Sequence, residues 1–146
     1  MKLNRIKTQF FDRQAVMNAT TRAERKVLSR FGAFVRTTAR SSIRKRKKPA
    51  APSQPPSSHT GLLKRNIFFA YESDRANVVI GPIRLNAKNT NAPETLEHGG
   101  AATVVRKGRR GKRTKRRVHI DARPFMGPAA EKERSKLPTL WANSIR

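Results

Sequence analysis

The fold is organised around residues 66–83, which read NIFFAYESDRANVVIGPI. Two runs of β-branched and aromatic residues flank a short polar segment, and this pattern predicts a β-hairpin. Since side chains alternate along a strand, Ile67, Phe69 and Tyr71 lie on one face while Phe68 and Ala70 lie on the other. Both faces are apolar. We therefore expect each face to be covered, either by helices of the same chain or by a neighbouring subunit.

Charge is the extreme feature of the composition. The 146 residues include 34 Lys and Arg against 9 Asp and Glu, which gives a formal net charge of +25. Such a balance predicts attraction to polyanions, whether nucleic acid, an acidic protein surface or anionic lipid. Cysteine is absent, which excludes disulfides, thiolate nucleophiles and Cys-ligated zinc. We expect a single-domain protein with no signal peptide and no membrane segment, soluble and not secreted.

A long amphipathic helix is predicted ahead of the hairpin. From Asp12, a candidate amino-terminal cap, apolar residues recur at spacings of four or seven over roughly 30 residues. Gly32 interrupts this helix at a cost of about 1 kcal/mol relative to Ala. We expect the helix to pack along the sheet with one end projecting towards a partner. The apolar stripe consists of Val16, Ala23, Val27, Phe31, Val35, Ala39 and Ile43.

A basic run and a Pro-rich segment follow the helix. The run is expected at the carboxyl end of the helix, where positive charge complements the helix dipole. Five cations exceed what that role needs, so contact with a polyanion or an acidic partner is the alternative. Residues 49–58 contain four prolines and are predicted to form a linker in extended geometry. The basic residues are Arg44, Lys45, Arg46, Lys47 and Lys48.

The second half of the chain predicts a short helix, a second hairpin and a last helix. Residues 92–100 read APETLEHGG, with Pro93 suited to a first helical turn and Gly99 to a left-handed stop. The hairpin arms are predicted at 101–105 and 118–120, joined by a flexible loop at 106–117 in which nine of twelve residues are basic. The last helix is predicted from about Ala129 to Lys136, and Pro138 is expected to interrupt or kink it.

The basic loop is the strongest candidate for binding. Nine cations would release many counterions on meeting DNA, which predicts steep salt dependence and little sequence preference. The loop contains no aromatic residue, so stacking on single-stranded bases is not supported. Its target is either DNA or an acidic rim of an adjoining protein. The candidate contacts are Arg106, Lys107, Arg109, Arg110, Lys112, Arg113, Lys115, Arg116 and Arg117.

The sequence offers little for catalysis. Its three histidines fall in no zinc-binding spacing, and there is no phosphate-binding Gly-Lys-Ser/Thr loop or nucleophile elbow. Glu94, Glu97 and Asp121 could in principle hold a divalent metal for nuclease chemistry, but acids at a helix start are commonly dipole partners. We expect no enzymatic activity, no catalytic or metal-binding residues and no cofactor.

Four segments in this order resemble the tail-completion, or neck, proteins of long-tailed bacteriophages, a group that includes the lambda minor tail protein Z. They are PPSSHTGLLKRNI at 55–67, VIGP at 79–82, APETLEHGG at 92–100 and IDARPFMGPA at 120–129. The resemblance spans about residues 34–145. It implies an α+β fold, a small antiparallel sheet flanked by helices. This matches the elements read from the residues, which are a long N-terminal helix, a small antiparallel sheet of two hairpins, a short middle helix and a C-terminal helix.

The same resemblance implies a structural virion protein. Members of the family form a ring, commonly sixfold, that completes the tail and lets it join the DNA-filled head. The implied partners are copies of the chain itself, a head-completion or connector protein, a tail-terminator or tail-tube protein and packaged DNA. The implied location is the neck, at the head-proximal end of the tail, and the host cytoplasm during assembly. The alternative is a general nucleic-acid-binding protein of ribosomal or nucleoid type.

Three aromatic residues are candidates for contact between subunits, namely Phe68, Phe125 and Trp141. For Phe125, packing in the core of its own subunit is an equal alternative. We also expect Arg123 to pair with Glu94 or Glu97, which would tie the last helix to the Glu-His-Gly-Gly segment.

Overall fold

The computed structural model describes residues 12–83, 91–108, 111, 113–142 and 144. The predicted α+β class and element order are confirmed. The two hairpins form separate two-stranded sheets, and a third, parallel pair of very short strands precedes them. The elements are α1 (Arg13–Ser42), β1 (Arg44–Lys45), β2 (Ser57–Ser58), α2 (Leu62–Arg65), β3 (Ile67–Glu72), β4 (Asn77–Pro82), α3 (Ala92–His98), β5 (Gly100–Lys107), β6 (Arg113–Ile120), α4 (Met126–Arg134) and α5 (Leu137–Ala142).

Helix α1 is the longest element and begins at the predicted cap. The Asp12 carboxylate accepts a hydrogen bond from the Ala15 amide at 3.0 Å. At 30 residues the helix is about 45 Å long, more than one hairpin can cover. Its first turns are exposed, and Val16, the first residue of the predicted stripe, is 47% exposed. From Ala23 onward the stripe faces the protein interior. The amino-terminal end of α1 therefore projects from the body.

The first hairpin is present as predicted and packs on α1. Strands β3 and β4 are antiparallel, with Phe69 opposite Ile80 and Tyr71 opposite Val78, and a 3₁₀ turn joins them. This inner face contacts the helix next to Gly32, where an added Cβ would lie 2.8 Å from Val78 Cγ2. Glycine is thus placed where the helix and the hairpin approach most closely. The other face of the hairpin is exposed in the described part of the chain.

One apolar cluster joins the carboxyl half of α1 to the hairpin and to α4. Its buried members are Val35, Ala39, Ile43, Leu63, Ile67, Phe125 and Ala129. Ile67 and Val35 are fully buried, and Leu96 packs against the same cluster from α3. The short helix α3 is therefore docked through Leu96, as its length requires.

The end of α1 differs from the prediction. The helix ends at Ser42, so Arg44 and Lys45 lie in strand β1, paired with β2, and not on the helix. The reason is that Ile43 leaves the helix with extended backbone to place its side chain in the core. The Pro-rich segment 49–58 packs on the body at Ala50, which is 6% exposed, and the Ser53 amide donates to the Ala122 carbonyl at 2.8 Å.

The second hairpin is longer than predicted. Strands β5 and β6 pair along eight residues each, from Gly100 opposite Ile120 to Lys107 opposite Arg113. Much of the predicted loop 106–117 is therefore strand. Its base contacts α3, whereas Thr103, Val104 and Val105 on β5 are exposed, as are residues 113–117 on β6. The outer part of this hairpin thus extends away from the packed body.

The carboxyl-terminal part forms two short helices. Helix α4 begins at Met126, three residues before the predicted start, and ends at Arg134. Pro138 lies in the first turn of α5, where its missing N–H costs no intrahelical hydrogen bond. The predicted interruption near Pro138 is therefore confirmed, with the new helix starting at Leu137. Both helices pack against α1.

Candidate nucleic-acid interface and subunit contacts

Strand β6 places three of its four Lys and Arg side chains on one face. Alternation along the strand places Arg113, Lys115 and Arg117 on the same face, which we call the basic face, and all three are exposed. At two residues per repeat, their Cα atoms follow one another at about 6.8 Å. Arg116 lies on the opposite face. The alternation of side chains along the strand therefore arranges three cations in a regular row.

The partner strand β5 contributes no charge to the middle of this face. Thr103 is paired with Arg117 and Val105 with Lys115, so small and aliphatic residues lie beside the cations. Residues 99–120 contain no Asp or Glu. Within the described residues, no ion pair neutralises a cation of the basic face. Its positive potential is therefore uncompensated locally.

The predicted cations of residues 106–112, which precede β6, add little to the candidate interface. Arg109, Arg110 and Lys112 lie outside the described residues. Arg106 and Lys107 are in strand β5, where their backbone pairs with Thr114 and Arg113. The candidate interface consequently rests on the residues of β6.

The first basic run, residues 44–48, is also exposed and lies far from β6 in the sequence. All five of its cations are on the surface, with Arg44 and Lys45 in β1 and the others in the turn that follows. Arg44 and Arg46 line a depression of about 340 Å³ together with Pro55 and Pro56. A basic depression of this kind is accessible to an anionic group.

The three aromatic candidates have different fates. Phe68 is 46% exposed on the outer face of the first hairpin, and Trp141 is 42% exposed on α5. Phe125 is only 1% exposed and belongs to the central cluster. The prediction of Phe125 as a subunit contact is therefore wrong, because the turn before α4 directs its ring into the core of its own subunit.

The outer face of the first hairpin is an apolar surface that no described part of the chain covers. It carries Phe68, Ala70 and Val79, of which Val79 is 52% exposed, and we call these three residues the outer face. Gly81 lies opposite Phe68 in the register, and a Cβ added there would meet no atom within 4 Å. The Arg36 guanidinium lies 5.8 Å from the centroid of the Phe68 ring. The Phe68 side chain is thus held at the surface, next to the space above Gly81.

Glu97 joins α3 to α4, through partners other than the predicted Arg123. Its carboxylate accepts hydrogen bonds from the amides of Phe125, Met126 and Gly127 at 2.8, 3.0 and 2.8 Å. These amides form the amino terminus of α4, which has unpaired N–H groups and a positive dipole end. The predicted pairing of Arg123 with an acid is wrong. The guanidinium of Arg123 donates instead to the carbonyls of Ala50 and Asp121, at 3.0 and 3.3 Å.

Glu133 is a buried acid with a structural role. Its side chain is 3% exposed, accepts a hydrogen bond from the Thr38 hydroxyl at 2.7 Å and pairs with the Lys136 ammonium at 2.5 Å. The hydrogen bonds from Lys136 and Thr38 lower the pKa of Glu133 and outweigh the opposing effect of burial. Lys136 also lies 4.9 Å from the centroid of the Phe34 ring, so this group links α4 to α1.

No protein-family model, curated protein or solved structure matches this chain. Among the described residues, no group of three or more His, Asp or Glu side chains is arranged to hold a metal ion. None of the helices in the described ranges combines the length and the apolar composition needed to cross a bilayer.

Proposed function

We propose that this protein is a structural subunit of the head–tail junction of a long-tailed bacteriophage, where copies form a ring that completes the tail and enables its attachment to the DNA-filled head. The observation that carries the proposal is the uncovered outer face of the first hairpin. Phe68 and Val79 are 46% and 52% exposed there, on a hairpin whose opposite face is packed. A neighbouring subunit is the cover that such a face requires.

Further exposed apolar groups support assembly over a monomeric role. Val16 and Met17, at the projecting end of α1, are 47% and 52% exposed, and Trp141 on α5 is 42% exposed. These groups lie on elements other than the outer face. In a ring each subunit uses two different surfaces, one for each neighbour, and additional surfaces remain for the rings above and below. Three exposed apolar sites, on the first hairpin, on α1 and on α5, are what that arrangement needs.

The proposed identity of the assembly rests on the order of the sequence motifs. Four segments between residues 55 and 129 resemble, in this order, segments of tail-completion proteins. The partners proposed on this basis are other copies of the chain, in a ring of commonly sixfold symmetry, a head-completion or connector protein and a tail-terminator or tail-tube protein. The proposed location is the neck of the virion.

Electron microscopy of lysates tests this function. A phage from which the gene has been deleted should produce DNA-filled heads beside complete but unattached tails. Supplying the gene from a plasmid should restore joined particles, which controls for effects on neighbouring genes. Normal tailed particles in the deletion lysate would contradict the proposal.

A general nucleic-acid-binding protein is the second candidate, favoured by the basic face of β6. This role predicts that the deletion leaves particle assembly intact. It also predicts that purified protein binds cellular nucleic acid with a steep salt dependence. Assembly and binding are separate measurements, so the two candidates can be distinguished.

A further inference from the structure

We infer that the second hairpin is a β-ribbon that binds the phosphate backbone of double-stranded nucleic acid through its basic face. The inference rests on the proposed function in one respect, which is the place where the protein meets such a duplex. That place is the junction through which DNA passes. The binding itself follows from the hairpin and can be measured on the purified protein.

The dimensions of the hairpin suit a duplex groove. Two strands separated by about 4.8 Å form a ribbon narrow enough for the major groove, which is about 12 Å wide. Each strand has eight residues, or about 26 Å of extended chain. The outer part of the ribbon, including Val104, Val105 and the three cations of the basic face, is exposed. A duplex can therefore approach the ribbon without displacing another element.

The charge of the hairpin matches a periodic polyanion. Arg113, Lys115 and Arg117 form a row with a regular repeat of about 6.8 Å, and a nucleic-acid strand likewise presents one phosphate per nucleotide at regular intervals. No acid interrupts residues 99–120. A folded acidic protein would present a surface of mixed groups, and interfaces between proteins favour aromatic anchors, which this hairpin lacks.

The same residues favour a duplex over a single strand and predict little sequence preference. Binding of single strands relies on bases that stack on aromatic rings, and residues 99–120 contain no Phe, Tyr or Trp. Reading of bases requires side chains that reach base edges in fixed geometry. The cations of the basic face are exposed beside the small side chains of Thr103 and Val105, and no ion pair among the described residues fixes their geometry. The contact is therefore made to the phosphates.

Salt-dependent binding of purified full-length protein tests the inference. Fluorescence anisotropy would follow binding to a 30-base-pair random-sequence DNA duplex between 50 and 200 mM salt. The triple variant Arg113→Gln/Lys115→Gln/Arg117→Gln should bind at least 10-fold more weakly. Its slope of log K against log salt should be smaller by about 2.7, because three phosphate contacts are lost.

A second triple variant controls for net charge. Arg22→Gln/Arg25→Gln/Lys26→Gln removes the same number of charges from an exposed part of α1. Its slope of log K against log salt should differ from that of the wild type by less than 1. Equal losses in the two variants would overturn the inference, because binding would then follow total charge. A single-stranded 30-mer that binds as tightly as the duplex would also overturn it, as would a poly-glutamate peptide that competes as well as the duplex does. None of these failures affects the joining of heads and tails, so they are distinguishable from failure of the proposed function.

Discussion

At the scale of single residues, Glu97 is the side chain that connects the middle of the chain to its end. One carboxylate satisfies three amides of the α4 amino terminus. Glu97→Ala leaves these N–H groups without their acceptor, and we expect the free energy of unfolding to fall by about 2 kcal/mol. Urea denaturation followed by circular dichroism measures this. Glu94→Ala, on the exposed side of α3, is the matched control and should cost less than about 1 kcal/mol. Equal losses in the two variants would contradict the bridging role of Glu97.

Glu133 gives a pH dependence whose direction is fixed by its environment. Its pKa is lowered in the folded protein, so the unfolded state binds protons first as the pH falls. The stabilisation is present above the ordinary value of 4.5 and is lost as the pH falls through the lower folded value. Glu133→Gln should lower stability by about 1 kcal/mol at pH 7, a figure reduced for the half-exposed Lys136.

Denaturation curves at pH 7 and pH 3 test this effect. The stability difference between the wild type and Glu133→Gln should shrink at the lower pH, because the unfolded chain takes up a proton at this acid once the pH lies below 4.5. Glu131→Gln is the control, because the Glu131–Arg134 pair is about three-quarters exposed on both sides and contributes little at either pH. A difference for Glu133→Gln that is the same at both values would contradict the assigned charge pairing.

Sequence reasoning predicted the connection made by Glu97 but not its chemistry. The order of residues indicated that the last helix is tied to the segment around Glu97, and Arg123 was the nearest opposite charge. The actual partners are backbone amides, and these become available only because α4 starts at Met126 and not at Ala129. The sequence does not show which amides a helix start leaves unpaired, since that depends on where Phe125 enters the core.

At the scale of elements, Gly32 sets the distance between α1 and the first hairpin. Its cost to the helix could be predicted, whereas the reason for it appears only in the packing. A methyl group at this position would lie 2.8 Å from Val78 Cγ2 and 2.9 Å from Phe69 Cδ2. Gly32→Ala should gain about 1 kcal/mol of helix propensity and lose more through overpacking, for a net destabilisation of about 1–2 kcal/mol.

A double-mutant cycle tests this contact. Val78→Ala removes the closest methyl group, so the loss from Gly32→Ala should be smaller in that background. Thermal denaturation of the two single variants and the double variant measures the coupling. Strictly additive effects, or a more stable Gly32→Ala protein, would contradict a close approach at Gly32.

The two hairpins differ in how well their sequences predicted them. In the first, alternating aromatic and β-branched residues gave the strands, the turn and the inner face. In the second, nine cations among twelve residues concealed the strand, because repulsion between like charges favours an open loop. Pairing with Val104 and Val105 extends β6 through the basic residues, and only the pairing register reveals the basic face.

At the scale of the whole molecule, the predicted α+β class and element order are confirmed, and the expectation of cover on both faces of the first hairpin is met on one face only. The inner face packs against α1, while Phe68 and Val79 remain exposed in the described part of the chain. The sequence left open whether a helix or a neighbouring subunit covers each face. The structure assigns the inner face to the helix, and the proposed function assigns the outer face to a neighbour.

The most direct test of this account places a charge on the outer face in a complementation experiment. Gly81→Glu adds a carboxylate beside Phe68 where the subunit has open space, so circular dichroism of the purified variant should show an intact fold. Ala51→Glu, on an exposed loop, is the matched control. Joined particles are then counted by electron microscopy in lysates of the deletion phage supplied with each gene. We predict that the wild type and Ala51→Glu restore joining and that Gly81→Glu leaves heads and tails separate; full restoration by a folded Gly81→Glu protein would contradict assembly through this face.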